Sequence, residues 1–99
     1  MVWRLWRGLT KATRAAAYLE HLQLETFPAI RKLPGFIGAS ILQRSLPDGV
    51  EFLVVTQWQS LEAIRAFAGA NIEVAVVPQR VRDMMIEYDA IARHYDVVA

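Results

Sequence analysis

Two histidines are the residues best suited to acid–base chemistry, because the ordinary pKa of histidine, about 6.5, lies near neutral pH. His21 follows Tyr18 by three positions and precedes Glu25 by four. On a helix these positions share one face, so Glu25 can orient His21 while Tyr18 donates to a substrate oxygen. The alternative is an exposed polar face with an ordinary pair of His21 and Glu25. His21 and Tyr18 are therefore candidate catalytic residues.

The second histidine, His94, stands beside Tyr95 in a segment that alternates like a strand. If His94 faces a pocket, it can act as an acid or a base, and Tyr95 can contact or donate to the substrate. The alternative is a hydrogen-bonded structural histidine at a pocket rim or a subunit contact. Asn71, in the loop after Gly69, either caps the next turn or faces the cavity.

Three large aromatic residues, Trp6, Trp58 and Phe67, are candidates for binding a flat ligand. Their rings can stack on an aromatic substrate in offset or edge-to-face geometry. The alternative is that they pack in the core or at an interface, as large aromatic residues commonly do. Together with Asn71 and Tyr95, they make up the predicted substrate-binding set.

The composition excludes several kinds of chemistry. The 99 residues include no cysteine, which rules out disulfides, thiol catalysis and thiolate metal sites. The two histidines lack metal-ligand spacing, so no metal is predicted. No glycine-rich phosphate loop is present, so no nucleotide cofactor is expected. Eleven scattered Lys and Arg stand against ten Asp and Glu, a net charge of +1, and this predicts no binding to nucleic acid.

Hydropathy predicts a single domain, residues 1–99, with much apolar surface to cover. No stretch reaches the ~20 apolar residues of a transmembrane helix. Charge also interrupts the apolar N-terminal run, which is unlike a signal peptide, so we expect a cytoplasmic protein without membrane contact. Hydrophobic residues make up 55% of the chain. That exceeds the usual ~45–50%, and predicts both an apolar pocket and an interface with another chain.

The order of elements predicts an α+β fold. A strand is expected over residues 2–9 and a helix over 10–33, capped by Thr10 or Thr13 and kinked, or restarted near Phe27, at Pro28. A hairpin follows, its turn formed by Pro47, Asp48 and a Gly49 of positive φ. A second helix is predicted over residues 61–68, with Ser60 and Gly69 as its caps. A short helix is expected from Pro78, with Val81, Met84 and Met85 pointing inward. The last predicted element is a strand over about residues 88–98.

This β-α-β-β-α-β order is that of the ferredoxin-like fold, with helices on one face of a four-stranded antiparallel sheet. The open face of such a sheet is normally polar. Here Leu53 and Val55 alternate with Phe52 and Val54, so the strand is apolar on both sides. The sequence therefore predicts a homodimer that buries the open sheet face.

Three stretches resemble the antibiotic biosynthesis monooxygenase-like family. They are residues 51–69, EFLVVTQWQSLEAIRAFAG, residues 33–39, LPGFIGA, and residues 93–97, RHYDV. In that family a hairpin strand ends in a Trp-x-Ser turn into a helix, as Trp58 to Ser60 do here. The resemblance spans nearly the whole chain and implies a dimeric α+β barrel.

The family's members differ in activity, so the resemblance implies alternatives. Some oxygenate aromatic polyketides or quinols without metal or flavin, and others degrade haem. The haem-degrading branch carries a Trp where this chain has Phe67, a His where it has Val76 and Val77, and an Asn in the first strand that is absent here. Haem degradation by that mechanism is therefore not expected.

The expected function is that of a cofactor-independent monooxygenase acting on a small apolar aromatic, quinol or polyketide-like. Two alternatives stay open on the same scaffold. One is a non-catalytic, dimeric ligand-binding or stress-associated protein, and the other is haem binding without degradation.

Overall fold

In the computed structural model, which describes residues 1–99, one antiparallel sheet carries all the helices on one face. Its strands are β1 (Val2–Thr10), β2 (Phe36–Leu46), β3 (Gly49–Trp58), β4 (Met85–Tyr88) and β5 (Arg93–Asp96). The order is β2-β3-β1-β4, and β5 also pairs with β1. β4 lies beside Gly8–Thr10, and β5 lies beside Val2–Leu5. The ferredoxin-like α+β prediction is confirmed.

The fourth position of the sheet differs from the prediction, because two short strands occupy it instead of one. Met85 opens β4 rather than lying in a helix, since the carbonyl of Met84 accepts from the amide of Lys11 at 3.0 Å beside the end of β1. Residues 89–92 then leave the ladder before β5 resumes it. Val81, Met84 and Met85 are all buried, as expected.

The first helical segment is continuous but changes its winding. It consists of a 3₁₀ turn (Ala12–Arg14), α1 (Ala15–His21), a π-helical turn (Leu22–Thr26) and α2 (Phe27–Ile30). Pro28 has no N–H, and in a regular helix its ring would clash with the carbonyl of Leu24. The wide π turn lies directly before it, and α2 restarts at Phe27, one of the two predicted outcomes.

The predicted cap of this segment is wrong. Thr10 is the last residue of β1, where its hydroxyl donates to the carbonyl of Val50 at 3.3 Å. Thr13 lies inside the 3₁₀ turn, and no side chain caps either this turn or α1. The first helical segment therefore begins without the side-chain acceptor that threonine usually supplies.

The second helical segment follows the local sequence signals closely. α3 (Leu61–Ala68) begins after Ser60, whose hydroxyl accepts from the amide of Ala63 at 3.3 Å. It ends at Gly69, which has a φ of 85°. α4 (Gln79–Arg82) follows Pro78 after a loop. No helix of the protein is long and apolar enough to cross a membrane.

The β2–β3 hairpin is confirmed, but Gly49 is there for a different reason. The turn consists of Pro47 and Asp48, and Gly49 already belongs to β3 with no positive φ. A Cβ at Gly49 would lie 2.2 Å from the carbonyl oxygen of Thr10. Glycine is therefore required by the close approach of β1, not by the turn.

The two faces of the sheet differ in what covers them. Phe52 and Trp58 point towards the helices and are fully buried, together with Ile64 of α3. On the open face Trp3 pairs with Tyr95 across β1 and β5, and both remain exposed. The prediction that the sheet is apolar on both faces is confirmed.

Candidate functional site

A cavity of about 460 Å³ lies between the sheet and the helical layer. Twelve of its 18 lining residues are hydrophobic, and the few polar ones converge from several elements. An apolar cavity with few polar groups is the usual form of a small-molecule site. The lining residues include Arg4 and Trp6 of β1, Tyr18 and His21 of α1, Glu25 of the π turn and Phe67 of α3.

Tyr18 reaches this cavity with its hydroxyl. Its side chain is only 2% exposed, and its ring packs edge-on against Phe52 with centroids 5.0 Å apart. The hydroxyl has no hydrogen-bond partner. Every side-chain nitrogen or oxygen of the protein that is fully shielded from solvent does have a partner, so the Tyr18 hydroxyl is not fully shielded. The hydroxyl must therefore open into the cavity that Tyr18 lines. Burial raises the pKa of Tyr18, so this group stays a protonated donor.

His21 lies one turn along α1, three positions after Tyr18, and lines the same cavity. Its Nδ1 is 3.0 Å from Oε2 of Glu25, which is the predicted i,i+4 contact. A carboxylate only accepts, so Nδ1 carries the proton and Nε2 is free to take another. Glu25 in turn accepts from Arg80 of α4 at 2.7 Å and 3.0 Å. This arrangement fits a general base whose ring is held by a carboxylate.

His94 does not line the cavity. Its Nε2 is 2.8 Å from Nη1 of Arg4, and since arginine only donates, Nε2 must accept. Burial, and then the charge of Arg4, lower the pKa of His94, while Glu73 opposes them. His94 is thus a neutral imidazole that holds Arg4, which corresponds to the structural alternative for this residue. The direct acid–base role predicted for it has no geometric basis.

Arg4 is the residue that the sequence reasoning missed. It is 5% exposed, lines the cavity, and has no carboxylate within ion-pair distance. Its guanidinium donates to the carbonyls of Ile72 and Val74 and lies 5.7 Å from the ring centroid of Phe67. Burial lowers the pKa of Arg4 to about 10, so it is still a cation at neutral pH. Its position two residues before Trp6 was the available signal, because strand alternation puts both on one face.

The three aromatic candidates take different positions. Trp6 and Phe67 line the cavity, and the indole N–H of Trp6 donates to the carbonyl of Asp89 at 2.7 Å. Trp58 is fully buried behind Phe67, with stacked rings 6.3 Å apart. Its indole N–H donates to the hydroxyl of Thr56 at 2.8 Å. Trp58 is therefore a core residue, and the interpretation of it as a cavity wall is corrected.

The last two candidates lie away from the cavity. Asn71 is exposed in the loop after α3, and its Oδ1 accepts from the amide of Glu73 at 3.3 Å, which is the capping alternative. Tyr95 is on the open sheet face opposite Trp3 and cannot reach the helix-covered side. Neither residue contacts the space that a ligand of the cavity would occupy. No three His, Asp or Glu side chains are grouped closely enough to hold a metal ion.

The comparison with protein families identifies the class to which this fold and cavity belong. The sequence model of the antibiotic biosynthesis monooxygenase family matches residues 9–72, and the chain belongs to that family. The predicted resemblance is thereby confirmed. No curated protein matches the chain.

Solved structures share the fold at low identity. A protein of Nitrosomonas europaea assigned to the antibiotic biosynthesis monooxygenases is 19% identical, with a TM-score of 0.72 over 100% of both chains. A monooxygenase of Streptomyces coelicolor in complex with nanaomycin D is 16% identical, with a TM-score of 0.67 over 99% of this chain and 88% of that one. A haem degrader of Mycobacterium tuberculosis with two haems in its active site is 23% identical, with a TM-score of 0.60 over 100% and 97%.

Proposed function

We propose that this protein is a cofactor-independent monooxygenase acting on a small, flat aromatic substrate such as a quinol or an anthrone-type polyketide ring. The observation that carries the proposal is the cavity, in which aromatic walls, a carboxylate-held histidine and an unpartnered tyrosine hydroxyl occur together. Membership of the family supports the type of reaction. The Streptomyces coelicolor monooxygenase that shares the fold and holds nanaomycin D supports a small-molecule substrate.

In the proposed reaction the substrate itself reduces oxygen once a proton has been removed. For an anthrone, His21 takes one proton from the ring CH₂, and the resulting enolate passes electrons to O₂. A C–O bond forms at that carbon and gives a peroxide, which receives the proton held by His21. The O–O bond then breaks as the second C–H proton leaves. The products are a ketone and one water, so the four electrons lost by carbon are those that reduce O₂.

The residues of the cavity divide this work. His21, held by Glu25, is the proposed base, and Tyr18 is the proposed donor to the oxygen that becomes negatively charged in the enolate. Trp6 and Phe67 hold the ring and exclude water from it. A dry site strengthens each of these electrostatic contacts, because little solvent remains to screen them.

The test is oxygen uptake with a panel of anthrones and quinols, measured against uncatalysed autoxidation in buffer. We expect His21→Gln to lower kcat by roughly 100-fold or more, the usual contribution of a positioned general base. Glu20→Gln is the matched control, because it changes the exposed neighbour of His21 on the same helix. A wild-type protein no faster than buffer with every substrate would refute the proposal and favour non-catalytic ligand binding.

We further propose that the working form is a homodimer, which buries the open face around Trp3 and Tyr95, and that it acts in the cytoplasm. The exposed apolar residues on this face support the dimer. An ion-pair cluster borders them, in which Arg7 and Arg44 both bind Glu51, at 2.6 Å and 2.5 Å. A cysteine-free chain fits a reducing compartment.

A further inference from the structure

Arg4 is a buried cation without a counter-ion. A charge removed from water is costly unless it is paired, and the partners of Arg4 are two backbone carbonyls and a neutral histidine. The other charges near the cavity do not compensate it. Both oxygens of Glu25 at the rim already accept from Arg80, and Glu73 forms no ion pair with Arg4.

Arg4 has N–H donors that no protein group uses. Nη1 is occupied by Ile72 and His94, and Nη2 donates once, to Val74. Nε–H and one N–H of Nη2 are left without a protein partner. Every side-chain nitrogen that is fully shielded from solvent has a hydrogen-bond partner, and Nε of Arg4 has none. Nε must therefore be open to the cavity that Arg4 lines.

Free N–H donors on Nε and Nη2, two nitrogens of one guanidinium, can bind the two oxygens of a carboxylate, the kind of group that arginine binds most strongly. Phe67 lies against the same guanidinium and Trp6 follows two residues later on the same face, so an aromatic ring can extend from such a carboxylate. We propose that Arg4 makes this cavity selective for aromatic carboxylates, and that His94 acts as a positioning residue that holds the guanidinium. The proposal rests on the proposed function only in naming its substrate class, since binding is measurable without turnover.

The test compares two ligands of nearly equal shape that O₂ does not oxidise, anthraquinone-2-carboxylate and anthraquinone-2-carboxamide, by isothermal titration calorimetry. We expect wild type to bind the carboxylate at least tenfold more tightly. Arg4→Met should remove that preference, and Arg4→Lys should keep part of it, because a point charge remains but the paired donors do not. Arg65→Met is the control, since it removes the same charge from an exposed position of α3. Equal binding of both ligands by wild type would overturn the proposal.

A measurement on the wild-type protein keeps the proposal testable if Arg4→Met does not fold. The ¹⁵N signal of the Arg4 side-chain Nε–H, identified by its loss in Arg4→Lys, should shift with the carboxylate and not with the carboxamide. A shift with neither ligand would overturn the proposal. The role of His94 has its own readout, since His94→Gln should weaken carboxylate binding several-fold and leave carboxamide binding unchanged. Equal weakening of both ligands would indicate a merely structural role.

Failure of this proposal and failure of the proposed function are distinguishable. If no substrate consumes oxygen but the Arg4-dependent preference is present, the catalytic proposal is wrong and the anion site stands. If oxygen uptake occurs but carboxylate and carboxamide bind equally, the anion site is wrong and the catalytic proposal stands.

Discussion

Replacing Tyr18 by phenylalanine removes one oxygen from the centre of the protein, and its effects on stability and on activity should have opposite signs. The hydroxyl is buried, unpartnered within the protein and open to the cavity. A core residue selected for stability would have a partner for this group. Tyr18→Phe therefore separates a functional hydroxyl from a structural one.

The size of the stability effect follows from the missing partner. A hydroxyl that hydrogen-bonds within a protein contributes about 0.5–1.5 kcal/mol net, and its removal is destabilising by that amount. An unpartnered hydroxyl instead carries a desolvation cost of about 1–3 kcal/mol in mutational data. Because the Tyr18 hydroxyl keeps contact with the cavity, the lower part of that range applies. We expect Tyr18→Phe to raise the free energy of unfolding by between zero and about 1 kcal/mol.

Urea unfolding at one fixed protein concentration measures this change, provided that the m-value is the same for both proteins. Tyr88→Phe is the control for stability, because that ring lies 6.3 Å from Trp6 but does not line the cavity. It should change the unfolding free energy by less than about 0.5 kcal/mol and leave oxygen uptake as it is. Tyr18→Phe should lower kcat by roughly 100-fold, the usual loss of one oxyanion donor.

Two results would refute this reasoning. A destabilisation of more than about 1 kcal/mol would mean that the hydroxyl has a partner within the protein. Unchanged oxygen uptake by Tyr18→Phe, with wild type active, would mean that the hydroxyl does not face the reacting oxygen.

Two further predictions concern the open face. Leu53→Asp should convert the proposed homodimer to monomers in analytical ultracentrifugation while Leu61→Asp on the exposed start of α3 does not, and a wild-type monomer at micromolar concentration would contradict the dimer. Arg44 and Arg7 lower the pKa of Glu51 from the usual 4.5 to about 2. The ion pairs of Glu51 therefore stabilise the folded protein fully above pH 4.5, and this contribution is lost as the pH falls towards 2. The urea midpoint should fall more steeply over this range in wild type than in Glu51→Gln, and equal slopes would exclude the cluster as a stabilising feature.

The elements that sequence reasoning predicted correctly have local causes. The β2–β3 hairpin surrounds Pro47 and Asp48, and α3 has Ser60 before it and Gly69 after it, so a few neighbouring residues determine each boundary. The position of Gly49 is explained only by Thr10, which approaches it from another strand. Such a contact leaves no mark within the hairpin's own sequence.

The same distinction between local and long-range contacts applies to the candidate site. Helical spacing was enough to place Tyr18 and His21 on one face, because both belong to one element. His94 and Arg4 are 90 positions apart, and their contact depends on the register of β5 against β1. Strand alternation shows which residues share a face but not which face the helices cover. The sequence therefore shows that Arg4 shares a face with Trp6, but the burial of Arg4 and its contact with His94 appear only once the sheet is assembled.

The π-helical turn between α1 and α2 has a consequence for how the cavity can change over evolution. A residue advances an α-helix by about 100°, and a π turn holds one residue more than an α turn. Deleting one residue from Leu22–Thr26 would restore regular winding, and because one full turn closes in either case, His21 and Phe27 would keep their relative directions around the helix axis. A single-codon deletion thus changes the side chains of the turn itself, which include Glu25, while the residues on either side of the turn keep their facing. Within one scaffold, the wide turn lets this wall of the cavity lose a residue while the sheet stays intact.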